Sequence, residues 1–564
     1  MKKTLLFILS FIVAIGTLCG CGNGNNGNSS NKSDDKKFEL TVWNFDGGFG
    51  TEWLYSAGKR YEEVRKNDSI MVDGKEYIGI KVTPTPEKRE IKNYITDLKE
   101  DVIFTEGVSY LSYVRDGYLA DITEMVKGSN KYETDKTNYP TVLSRFYDKQ
   151  NSYFEINGKY YGVPHYAGFV GVTYNMDIFD ATNAYFCKNY KNETNLEDKF
   201  IATAGAAKSA GPDGKESTDD DGLPTTYQEF FWLCEYLKSS TYKGSAIAPI
   251  TFSSDECEHY LNQFMDSLTA NYEGYDSMNM YYTFSGTANG LRPVSSDNSV
   301  TADINSSNGY QLQRLEGKYQ ALSFVETMAK KSSEYVSTRT AFNNAQNYFI
   351  KGESTAQKPY SAMIIEGTWW ENEADETFKS TRVQRKDRRY GFMPLPCATD
   401  ELAQERAKNY ADEDKNCYTL IDALNSVGFV NNKISSDRKA IAMDFLQFCN
   451  TSESLSEFTT ITDTTKALKY TLTEQDLAKV STFGKSIIDM QNRADIVNQY
   501  DSNDFFRLNE STFISWQGKY TSMIDGKPQK NAFDQLKKVS AQTYLDGMFK
   551  YWKDEAWIKL ATGK

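Results

Sequence analysis

Two adjacent tryptophans, Trp369-Trp370, follow the apolar run 362–365 and the polar step Glu366-Gly367-Thr368. A pyranose ring presents an apolar C–H face and hydroxyls that both donate and accept hydrogen bonds. A flat aromatic ring beside a carboxylate or amide therefore matches it on both counts. Two tryptophans after a buried strand, at a helix start, suit a stacking platform, with one of the pair expected to pack in the core. The same combination recurs at Trp43-Asn44-Phe45-Asp46-Gly47-Gly48, where the glycines permit close backbone approach and Trp43 or Asp46 is placed to face a cleft. In an open α/β sheet the ligand crevice lies beyond the carboxyl ends of the strands, which is where both groups fall.

Other chemistries are poorly supplied. Only His165 and His259 occur, far apart, which argues against a His-rich zinc site or a mechanism using several imidazoles. No GxSxG, HExxH or Walker loop is present. Cys187, Cys234, Cys257, Cys397, Cys417 and Cys449 form no CxxC pair, and their possible disulfides cannot be chosen from spacing. Cys234 and Cys449 fall on apolar helical faces, as buried thiols do. Ser217-Thr218-Asp219-Asp220-Asp221-Gly222 resembles the start of a calcium loop, with Gly222 at the sixth position. The twelfth is then Gln228 rather than a bidentate Glu, so an acidic surface turn is the better reading. No metal and no cofactor are expected. Acids outnumber bases by 77 to 64, a balance that repels phosphate backbones, so a nucleic-acid partner is not expected.

The elements that would position these residues are legible. A chain of 564 residues, 39% hydrophobic and 14% aromatic, has room for several core-forming units. Residues 38–43 alternate as a half-buried strand. Thr51 is placed to cap a helix carrying Leu54, Ala57, Tyr61 and Val64. Ile78, Ile80 and Val82 predict a second strand closed by Thr83-Pro84-Thr85-Pro86, and 101–104 a third. This βαβαβ rhythm predicts an open α/β sheet. A second set follows. It comprises a strand at 169–174, a helix capped by Thr225 with Gln228, a strand at 362–365, a crossing segment at 390–396 that proline stops, a strand at 427–430 and a helix at 438–449. Stretches at about 185–222 and 270–310 read as insertions.

The N-terminus carries an address. Lys2 and Lys3 precede an apolar stretch at 5–18, too short to span a bilayer. Leu18-Cys19-Gly20-Cys21 resembles a bacterial lipobox with Cys21 as the lipidated residue; an ordinary secretory signal with an incidental cysteine is the alternative. Residues 22–37 are polar and low in complexity, a tether of roughly 20–24 Å reach. An extracellular, membrane-anchored body is expected.

Seven blocks, in order, resemble the large family of extracellular solute-binding proteins of bacterial ABC importers that includes maltodextrin-binding protein. They are 101–122, 157–179, 223–238, 362–370, 390–396, 429–449 and the C-terminal STFISW with KNAFDQLKKVSAQ. The resemblance implies two α/β lobes joined by a hinge, in the periplasmic-binding-protein (Venus flytrap) manner, closing over a ligand held between them. One lobe would hold 38–165 and 396–475, the other 166–395 and 476–564. It implies a carbohydrate ligand, an ABC permease as partner, a membrane contact through the N-terminal lipid, a monomer, and binding without catalysis. A secreted carbohydrate-active enzyme, or a binding protein for another polar solute, is the alternative. By position in the family pattern, Glu106, Tyr166 and Trp516 join Trp43, Asp46, Trp369 and Trp370 as ligand-binding candidates. Ser253 to Glu256 could add polar contacts, and His165 reads as a structural imidazole.

Overall fold

Alternation decides the first strand: Phe38, Leu40 and Val42 are buried and Glu39 is exposed along Phe38–Phe45. The computed structural model describes residues 36–147, 149–253, 259–351, 359–381, 385, 388–498, 523–524, 527–528 and 532–557. Phe38–Phe45 lies between Ile80–Glu87 and Val102–Thr105, parallel to both. Val427–Val430 then pairs antiparallel with Val102–Thr105 and with Val163–Pro164, completing a five-stranded sheet. The run Thr83-Pro84-Thr85-Pro86 does not end its strand as the sequence predicts. Val42 pairs with Pro84 and Asn44 with Pro86. The strand is at the sheet edge, where a proline's missing N–H need not serve a second neighbour.

The second sheet has six strands. Its main path is Thr241–Tyr242, Ser245–Ser253, Tyr360–Gly367, Val170–Asn175 and Tyr390–Met393, with Val336–Thr340 pairing Ser245–Ser253. Tyr360–Gly367 is parallel to Ser245–Ser253 and antiparallel to Val170–Asn175. The helices Glu52–Arg65, Ser436–Phe448 and Ser452–Thr462 accompany the first sheet. Tyr227–Ser239, His259–Thr283, Phe342–Lys351 and Thr482–Asn492 accompany the second. The result is a two-lobed α/β fold with one mixed sheet in each lobe. Among the described residues no helix is long and apolar enough to cross a membrane.

Tyr418–Asp422 pairs in parallel with Ala494–Asn498 and packs on His259–Thr283, so after 396 the chain rejoins the first sheet only at Val427. The chain passes between lobes at 165–168, 423–426 and 464–467, and these segments bond to one another. Ala423 N–H donates to the Gly168 carbonyl at 2.8 Å, His165 N–H to Ser426 at 3.2 Å, and Ala467 N–H to His165 at 3.2 Å. His165 is buried among Trp53, Phe104 and Tyr166 with Lys466 against its Nδ1, a structural imidazole.

The Thr225–Gln228 box sits one residue further on. Thr226 accepts from the Glu229 N–H at 3.3 Å, and the Glu229 carboxylate accepts from Thr225 N–H at 2.7 Å and Thr225 Oγ1 at 2.6 Å. Thr51 occupies the N-cap of Glu52–Arg65 but turns its hydroxyl to Asp46 Oδ1 at 2.9 Å. Cys187, Cys234, Cys397, Cys417 and Cys449 are free thiols, and Cys257 lies outside the described residues.

Candidate functional site

The carboxyl end of Val102–Thr105 delivers Glu106 from the first lobe, and the carboxyl end of Tyr360–Gly367 delivers Glu366 and Trp369 from the second. Asp422 closes the strand that leads into the second crossing, and Tyr166 stands on the first. Tyr166 Oη donates to Glu106 Oε1, and its ring rests on Phe49 with centroids 4.1 Å apart. Trp369 Nε1 donates to Tyr260 Oη at 3.3 Å, and Tyr260 in turn bonds Glu373. Gln346 Nε2 bridges Glu373 Oε2 at 2.7 Å and Glu366 Oε1 at 3.3 Å. A chain of rings and carboxyls thus runs across the seam between the lobes.

The lobes meet here. A methyl group at Gly48 would sit 2.5 Å from Cβ of Trp369, so the loop after the first strand lies directly on the second lobe's tryptophan. Asn372 Nδ2 donates to the Thr462 carbonyl, and Arg385 approaches Asp463 at 3.6 Å, both across the same seam. A cavity of about 920 Å³ lined by Tyr147, Lys469, Tyr470 and Asp495 lies elsewhere, beside the third crossing, and shares no residue with the cluster.

Burial pushes the Glu106 carboxyl up to about 7; the charges of Glu373 and Asp422 add to this, and the Tyr166 hydrogen bond opposes it. Burial also raises Asp422 to about 7, against the N–H groups of Leu424, Gly168 and Asn425. Glu366 is raised well above the usual carboxylate range by burial and by Glu373. No lysine or arginine contributes to these shifts. Near neutrality such carboxyls both donate and accept, which suits hydroxyl groups.

The shifts carry a sign. From about pH 4.5 to about pH 7 the folded protein holds protons that the unfolded chain has released, so stability falls as pH rises through that window. Glu106→Gln should flatten this slope. The test is to compare urea midpoints at pH 5 and pH 7.5; equal slopes in parent and variant would sink the assignment.

The structure thus gathers Glu106, Tyr166 and Trp369 from the sequence candidates. Trp43 is 2% exposed in the first-lobe core, beside Tyr94 and beneath the Arg89 guanidinium. Of the tryptophan pair, Trp370 is the one that is fully buried, among Phe349, Tyr390 and Phe483. Asp46 is half-buried in the loop next to the seam and holds Thr51. Ser253 is buried at its strand end; 254–258, Trp516 and Cys21 lie outside the described residues. Sequence reasoning missed Tyr260, Gln346, Glu366, Glu373, Asp422 and Phe49, although Glu366 and Asp422 sit at strand ends where the same rule points. In the loop 211–222 Asp220 accepts from Asp213 N–H at 3.0 Å and Asp221 from Ser217 N–H at 2.8 Å, while Asp219 is exposed. Among the described residues no group of three or more His, Cys, Asp or Glu is placed to hold a metal ion.

Fold and seam together define a two-lobed α/β protein with aromatic rings and protonatable carboxyls gathered between its lobes. No family model and no curated protein matches the chain. Among solved structures it is similar to a chitin oligosaccharide binding protein, at 14% identity over 83% of this chain and 89% of that one, with a TM-score of 0.48.

Proposed function

We propose that this protein is the lipid-anchored, substrate-binding subunit of a bacterial ABC importer, capturing a carbohydrate between its lobes on the outer face of the membrane and delivering it to a permease. One observation carries the binding reading: the bonded pair Trp369–Tyr260 of the second lobe and the bonded pair Tyr166–Glu106 of the first lie on one seam, near enough for the charge of Glu106 to raise the Tyr260 phenol. A ligand held there touches both lobes and so favours their closure. The lipobox-like Gly20-Cys21 and the polar tether support the anchor.

Calorimetry with a panel of neutral oligosaccharides, chito-oligosaccharides among them, tests the ligand class. Trp369→Ala should weaken binding by about 1–3 kcal/mol, roughly 5- to 150-fold, since ring burial and ring–face contact are lost together. Saturable binding with an unchanged product profile supports the reading. Cleavage that scales with pure protein favours a carbohydrate-active enzyme instead. For the anchor, Cys21→Ala should release the protein to the medium; unchanged membrane association would count against it.

A further inference from the structure

A second opening sits at the other end of the second sheet. Gly367, at the seam, pairs with Val170, whereas Tyr174 pairs with Met363, four residues down the strand and about 13 Å away at roughly 3.3 Å per residue. There a cavity of about 360 Å³ is walled by Tyr174, Phe392, Pro394, Tyr410, Tyr418 and Met490. That volume lies within the usual range of small-molecule sites.

Its polar groups are unbalanced. Tyr174 is 4% exposed, lines the cavity, and its hydroxyl has no hydrogen-bond partner among the described residues. Burial raises its phenol, and the charges of Asp219 and Asp220 raise it further. Asp219, from the insertion, and Asp489, from the helix Thr482–Asn492, line the same opening. Among the described residues neither carboxylate has a hydrogen bond or an ion pair, and the charge of Asp219 raises Asp489 while Lys485 opposes it. Arg493 also lines the cavity, but its guanidinium is turned to the carbonyls of Asn409, Asp412 and Lys415 at 2.8–2.9 Å.

We propose that this cavity is a second ligand site, separate from the seam between the lobes, that takes a primary ammonium group. Two carboxylates on one opening, neither with a hydrogen-bonded or ion-paired partner among the described residues, favour a cation, and aromatic walls favour one further. The buried phenol oxygen asks for a donor, which a primary ammonium has and a quaternary one lacks. This inference does not depend on the carbohydrate reading.

Calorimetry on the full chain with 1,4-diaminobutane tests it. Saturable binding is expected, at least tenfold weaker in the Asp219→Asn, Asp489→Asn double variant and at least threefold weaker in Tyr174→Phe, with no change in Trp369→Ala. Tetramethylammonium should bind at least tenfold more weakly than the diamine, and 1,4-butanediol should give no binding. The aspartates are exposed and the phenol hydroxyl is unpartnered, so the variants should fold, which melting curves will check. Absence of saturable diamine binding, tetramethylammonium as tight as the diamine, or unaltered affinity in the variants overturns the proposal.

Discussion

Trp370→Ala is expected to lower the unfolding free energy by about 3–5 kcal/mol while leaving ligand affinity near the parental value. The indole is fully buried, with ring centroids 5.2 Å from Tyr390, 5.5 Å from Phe349 and 5.9 Å from Phe483. These rings, with Phe378 at 6.2 Å, cannot collapse far into the space left, because each is held by its own strand or helix. Among the described residues Trp370 Nε1 has no hydrogen-bond partner, so Trp370→Phe forfeits only volume and should cost clearly less than the alanine change. Urea denaturation reads both. The outcome that would defeat the core assignment is a Trp370→Ala variant as stable as the parent but defective in binding.

Breaking the Glu133–Arg145 pair should have an effect of similar size. Both side chains are fully buried, and Arg145 also donates to the Lys469 carbonyl at 3.0 Å and to Ser452 Oγ at 2.7 Å. Glu133 additionally accepts from Ser452 N–H at 3.0 Å, so the pair ties the 133–145 segment to the start of the Ser452–Thr462 helix. Glu133→Gln keeps the shape but leaves a guanidinium in a dry site without its countercharge, which costs about 3–5 kcal/mol. Replacing both partners by methionine should restore much of that loss, since the penalty lies in the orphaned charge rather than in the missing attraction. A Glu133→Gln variant within about 1 kcal/mol of the parent would show that the site is hydrated and the penalty of burial does not apply.

The two-lobed α/β fold was legible because it follows from periodicity that local residues carry. The alternation at 38–43 became Phe38–Phe45, and the apolar run at 362–365 became Tyr360–Gly367. What failed locally failed because of neighbours in space. Pro84 and Pro86 look like breakers until Ile80–Glu87 is known to be an edge strand. Trp43 cannot be told from a cleft residue by alternation, since both faces of its sheet are covered. At Trp369-Trp370 adjacent residues at a helix start point about 100° apart, so one ring goes inward and the other to the seam. Which does which is settled by Gly48 and Tyr260, remote in sequence. Glu106 and Tyr166 could be located by pattern, whereas Asp422 and Glu373 join the cluster only through the crossings and the short helix Trp370–Glu373.

The order of strands in the first sheet has a kinetic side. Its inner strand Val427–Val430 pairs Val427 with Thr105, and at synthesis rates of about 5–20 residues per second roughly 16–64 s separate the emergence of the two. Over that interval one side of Val102–Thr105 has no partner, and the long loop that must close between them makes the pairing slow. The main path of the second sheet, by contrast, is already present in the chain at Met393. Synthesis therefore starts the first sheet first but completes it only after the main path of the second is in the chain. The Val427–Val430 strand then locks a sheet whose earlier strands have waited through the making of most of the second lobe.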